Sequence, residues 1–166
     1  MPDYNPYTIK RCKDCDMSNG KMELVFVPEN ELCAACKLVR ELAKTDAKQT
    51  RAAAKPLQGT IIRNTHFHHD VNITGTSIRE WTNQPHKHFK AKNQMLLDIN
   101  NVFSNAAYLG TTDNHKGIKR VVQSHIFEVE VSGEKNLLIV REYDWGEYVL
   151  HSISDSPELY NKIKKE

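Results

Sequence analysis

"HIFEVEVSGEKNLLIVREYDWGEYVLHSIS", residues 125–154, decides the fold. Three runs rich in β-branched and aromatic residues, His125–Val131, Asn136–Tyr143 and Tyr148–Ser154, are separated by "SGEK" and "DWGE". Each separator contains glycine and is short enough for a tight turn, so the stretch predicts an antiparallel meander. Turns centred on Gly133-Glu134 and Trp145-Gly146 would put Phe127, Val129, Val131, Leu138, Val140, Val149 and Ile153 on one apolar face. His151 would then point into that face as a core histidine. Glu128, Arg141 and Ser152 would share the other face, with Tyr143 and Tyr148 nearby; a one-residue slip would exchange the faces.

Upstream, the period changes. "NQMLLDINNVFSNAAYLG" (Asn93–Gly110) carries Met95, Leu96, Ile99, Val102 and Phe103 near helical spacing, with Gly110 as a stop or strand exit. "GTSIREW" (Gly75–Trp81) opens another helix, with Ser77 and Glu80 spaced as a capping box. "VNIT" (Val71–Thr74) reads as a short strand. Helices followed by a meander predict an α+β domain with helices packed on one sheet face.

All four cysteines lie N-terminal to this, in "CKDC" (Cys12, Cys15) and "CAAC" (Cys33, Cys36). Two CxxC hooks offer the four soft ligands that a tetrahedral structural Zn²⁺ takes. "MELVFV" (Met22–Val27) between them reads as a strand, and "CAACKLVRELAK" opens a helix with Leu38, Val39 and Leu42 on one face. A small zinc-ribbon or treble-clef module over residues 1–43 is expected, with zinc as the element that folds it. Two disulfides or four free thiols are the alternatives; a reducing compartment disfavours the first, and the neat pairing disfavours the second. "AKTDAKQTRAAAK" (Ala43–Lys55) has strong helix formers and almost no apolar stripe, which predicts a solvated helical linker over 44–59. The α+β domain would fill 60–166.

In 166 residues with a net charge of +2 there is no global basic field of the nucleic-acid-coat kind. No apolar run is long enough to span a bilayer, and the first residues lack an apolar signal core, so a cytoplasmic protein without a membrane partner is expected.

The run from "TGTSIREW" through "HKHFKAKNQMLLDINNVFSNAAYLG" to the three strands resembles phage-associated domains of the barnase–EndoU–colicin–RelE superfold. Such domains occur in large polyvalent phage proteins and at the ends of phage head-morphogenesis proteins. The resemblance covers roughly Val71 to Asp155 and leaves the cysteines outside. It implies a barnase/RelE-like fold and a metal-independent, toxin-type endoribonuclease. The RNA 2′-hydroxyl would attack the adjacent phosphorus and leave a 2′,3′-cyclic phosphate and a 5′-hydroxyl. It also implies RNA as substrate, an immunity or antitoxin partner, a phage head protein as a further partner, and a cytoplasmic or virion-associated location.

That reaction needs one group to take a proton, one to return it, and a cation on the phosphorane. His125 matches the histidine heading this strand in similar domains and is the first proton-transfer candidate; a strand-end histidine with one backbone bond is its plain alternative. His88, in the basic "HKHFK", is the second, with a solvated loop as the alternative. Arg141 would hold phosphate unless it pairs with Glu128. Ser152 resembles the small hydroxyl residue on the last strand of the superfold. "HFHHD" (His66–Asp70) aligns with no motif; it reads as an exposed entry to the domain, then as a catalytic segment, and last as a metal site. Two other functions compete with the ribonuclease. One is an inert adaptor or virion-associated module that keeps the fold; the other is a metal-dependent nuclease built on His66, His68, His69 and Asp70.

Overall fold

The computed structural model describes residues 34–114 and 116–164. Cys12, Cys15 and Cys33 lie outside them, and Cys36 falls where only the backbone is described, so the zinc module is not part of this description. The described chain runs α1 (Ala34–Ala54), a 3₁₀ turn (Lys55–Leu57), β1 (Ile61–Asn64), β2 (Phe67–Asn72), α2 (Gly75–Asn83), α3 (Phe89–Leu97) and α4 (Ile99–Asn105). It continues through β3 (Ala107–Asp113), β4 (Val121–Val131), β5 (Glu134–Tyr143), β6 (Tyr148–Ser154) and α5 (Pro157–Asn161).

The meander is present as β4–β5–β6, inside a larger sheet of order β1-β2-β6-β5-β4-β3. β2 runs parallel to β6 and every other neighbouring pair is antiparallel. The architecture is therefore mixed α+β. Val131 pairs with Glu134, so the first turn is Ser132-Gly133, one residue earlier than the sequence suggests. Both turn residues have positive φ, 50° and 79°, the type I′ geometry that matches strand twist. The pairing moves by two residues, so the faces of β4 and β5 stay as expected.

On β6 they do not. Leu138 faces Ile153, but Val140 faces Leu150, because a bulge at His151 absorbs one residue. Leu150 rather than Val149 is therefore buried in the core, and His151 leaves the apolar face. Tyr148 changes sides with Val149: it joins the core face, while Val149 pairs with Arg141 on the outer one.

Trp81 and Ile78 of α2, Leu96 of α3, and Ile99 and Phe103 of α4 pack on Val129, Val131, Leu138, Val140, Leu150 and Ile153. Trp81 Nε1 donates to the Lys92 carbonyl (2.8 Å), and Lys92 Nζ donates to the carbonyls of Trp81 (2.7 Å) and Gln84 (2.6 Å). This reciprocal lock ties α2 to α3, and burial pushes the Lys92 amine down to about 8. The cap of α2 is Thr74 with Ser77, not Ser77 with Glu80. The long apolar stretch breaks at Asp98 into α3 and α4, and "AYLG" is already strand. Gly110, at φ +136°, lies under the Lys164 carbonyl and the Ile163 side chain, where a Cβ would collide.

The segment expected as a solvated linker is the C-terminal part of α1 and is docked. Ala47, Thr50 and Ala54 are buried, Arg51 donates to Asn83 (2.8 Å), and Asp46 accepts from Asn93 (2.8 Å). Alanine side chains let this helix approach α2 and α3 closely without an apolar stripe. The expected apolar face is instead open at Leu38 and Leu42.

β2 and β3 stand four strands apart, about 19 Å in a flat sheet. Yet the Phe67 and Tyr108 rings are 5.3 Å apart, so the sheet curls around the core face. Asn64 closes the curl: it is buried, and its Nδ2 donates to the carbonyls of Phe103 (2.6 Å) and Ala106 (2.8 Å).

Candidate active site

Alternation along β4 puts His125 on the same side as Phe127 and Val129, inside the curl, where an imidazole needs polar partners. Two come from diagonal positions on the flanking strands. Tyr108 on β3 is opposite Phe127, and Glu142 on β5 lies two residues beyond Val140, the residue opposite His125. The Tyr108 hydroxyl is 2.9 Å from His125 Nδ1, and Glu142 Oε2 is 2.9 Å from Nε2. A carboxylate only accepts, so Nε2 carries the proton of the neutral ring and Nδ1 accepts from the phenol.

The carboxylate is itself held. Gln123 Nε2 donates to Oε2 (2.7 Å) and the Tyr148 hydroxyl to Oε1 (3.4 Å). Burial pushes the Glu142 carboxyl up, but the bonds from Gln123, His125 and Tyr148 together outweigh it and keep it below the usual carboxylate range. Burial and that carboxylate push the Tyr148 phenol up.

Aromatic rings enclose the imidazole. Phe67 packs at 4.9 Å from His125 and also contacts Tyr108, Phe127 and Tyr148. His69 is exposed and stacks on Tyr148 (4.2 Å), so one histidine of "HFHHD" stands at the rim of this group. His66 and His68 are exposed, and Asp70 is bonded to Arg63 (2.7 Å), which holds its carboxyl below the usual range. Among the described residues no three His, Cys, Asp or Glu side chains converge as a metal-holding group.

The four residues singled out in the sequence are not gathered together. His88 precedes α3 with Nε2 3.7 Å from Glu134, at the hairpin end of β5, roughly 20 Å along the strands from His125. Arg141 pairs with Ser124 and Val149 on the outer face of the sheet. Glu128 takes Lys135 (3.7 Å) and Tyr160 (3.2 Å) instead of Arg141. Ser152 is buried on that outer face, opposite Ile139. Sequence reading missed Tyr108, Gln123 and Glu142, although one signal was available: parity puts His125 among apolar residues, and a polar group there demands partners at diagonal positions.

The family model of large polyvalent protein-associated domain 3 matches residues 41–159, well over half of the 166. Its start within α1 agrees with the docking of that helix. No curated protein and no solved structure matches the chain. Among the described residues no helix is long and apolar enough to cross a membrane. The chain belongs to the large polyvalent protein-associated domain 3 family, a phage-associated domain.

Proposed function

We propose that this domain is a metal-independent endoribonuclease whose chemistry runs through Tyr108, His125 and Glu142. The observation that carries the reading is a buried imidazole held between a carboxylate on Nε2 and a phenol on Nδ1. This is the arrangement by which an oriented histidine raises the basicity of a hydroxyl group. As Tyr108 takes the proton of an RNA 2′-hydroxyl, its own proton passes to His125 Nδ1. The resulting imidazolium is balanced by Glu142. The 2′-oxygen forms its bond to phosphorus while the bond to the 5′-oxygen breaks, and His69, at the rim beside Tyr148, returns a proton to that oxygen. The products are a 2′,3′-cyclic phosphate and a 5′-hydroxyl. The barnase/RelE-like resemblance supports the same reaction, and the phage-associated family fits a toxin-type role.

A second reading has its own observation. His88, Arg141 and Ser152 lie away from His125, and the histidine is enclosed by Phe67, Tyr108 and Tyr148. On that reading the network only satisfies a buried histidine, and the domain is an inert phage adaptor. Glu142→Gln separates the two, since it keeps the side-chain shape and removes the charge that balances an imidazolium. The ribonuclease reading expects cleavage to fall about a hundredfold or more. Equal cleavage by the variant contradicts the relay.

The four cysteines remain a zinc proposal, structural rather than catalytic, since four thiolates close the tetrahedron.

A further inference from the structure

The outer face of the sheet carries a second group of side chains that the relay does not use. Trp145, in the β5–β6 turn, is 52% exposed. Tyr143 stacks on it (4.6 Å), and the Arg120 guanidinium lies over its ring (4.9 Å). Beside them is a cleft of about 280 Å³ lined by Thr76, Arg141, Tyr143, Trp145 and His151, among others. Arg141 makes no ion pair among the described residues.

We propose that this face binds single-stranded nucleic acid, with an unpaired base on the Trp145–Tyr143 stack and the neighbouring phosphate on Arg141. Aromatic rings beside cations suit unpaired strands, because every base offers a π-face and every nucleotide a phosphate. The two nearby carboxylates are already engaged. Asp144 holds Arg120 (3.2 Å), and Glu147 accepts from Trp145 Nε1 (2.8 Å) and Asn72 (3.0 Å). Arg120 is the replaceable layer, since its side chain is 57% exposed and gives up one aromatic contact to meet a phosphate oxygen. The field in the cleft has the matching sign: after burial, the next causes that push His151 down to about 4 are Arg141 and Lys116.

The platform lies on the opposite face from His125 and stands whether or not the relay cleaves RNA. Its test therefore uses an oligodeoxythymidine of about ten nucleotides, which has no 2′-hydroxyl to attack. Anisotropy of the labelled strand is titrated with the intact protein at low and high salt. We expect salt-dependent binding and weak binding of a blunt duplex of equal length. Trp145→Ala and Arg141→Ala should each weaken binding about tenfold, and Trp145→Phe should retain most of it. The emission of Trp145 should be quenched, while the fully buried Trp81 gives no such response. Absence of binding, equal affinity for the duplex, or unchanged affinity in both alanine variants overturns the proposal. Should Trp145→Ala fail to fold by circular dichroism, Arg141→Ala decides alone.

Discussion

Both ring nitrogens of His125 are occupied, so any proton reaching or leaving it must pass through Tyr108 or Glu142. Tyr108→Phe is the sharp probe, since it removes one oxygen and leaves a buried acceptor without its donor. A stability loss of about 1–3 kcal/mol in urea unfolding is expected, with the fold kept. Two other histidines set the acid limb. Burial pushes His86 down, partly opposed by its bond to Asn136; His151 is pushed to about 4 by burial, Arg141 and Lys116. Their folded values lie below that of a free histidine, about 6.5, so the unfolded chain takes up protons first as pH falls. Their contribution is complete above about pH 6.5 and is lost as pH falls below it, for His151 down to about 4. Urea midpoints measured across that window should decline, and His151→Gln should flatten the decline. A midpoint independent of pH there would contradict this.

At the scale of elements, the meander was legible because turn glycines and alternation agree along residues 125–154. The facing of its last strand was not, because a one-residue bulge leaves no mark in an alternating sequence, and His151 changed sides with it. The break at Asp98 was also hidden, since apolar spacing continues through it. The C-terminal part of α1, expected as solvated, is docked because an alanine-rich helix packs by closeness rather than by a stripe. Three substitutions test this account. Gly133→Ala strains a turn position at φ 79° and should destabilise by about 1 kcal/mol, whereas Ser132→Asn, suited to the I′ turn, should raise the midpoint. Asn64→Ala removes the donors that close the curled sheet onto α4 and should cost about 2 kcal/mol or more in unfolding measurements.

For the whole molecule, the mixed α+β class and phage association were legible in the order of elements. Of the proposed site only His125 was singled out in the sequence, because Tyr108, Glu142 and Tyr148 meet it through register and curl, which depend on distant strands. The N-terminal cysteines call for a separate measurement: metal analysis of the purified chain should find stoichiometric zinc, lost in Cys12→Ser with Cys15→Ser. Near-ultraviolet dichroism from Trp81 should survive that loss, since Trp81 is fully buried within the core of the described residues. The relay is the central claim, and its most direct measurement is end-group analysis of bacterial RNA and tRNA incubated with wild type and Tyr108→Phe, with EDTA present. The account predicts fragments with 2′,3′-cyclic phosphate ends from wild type, lost in a folded Tyr108→Phe. Undiminished cleavage by that variant, or none by wild type on any RNA tested, would contradict it.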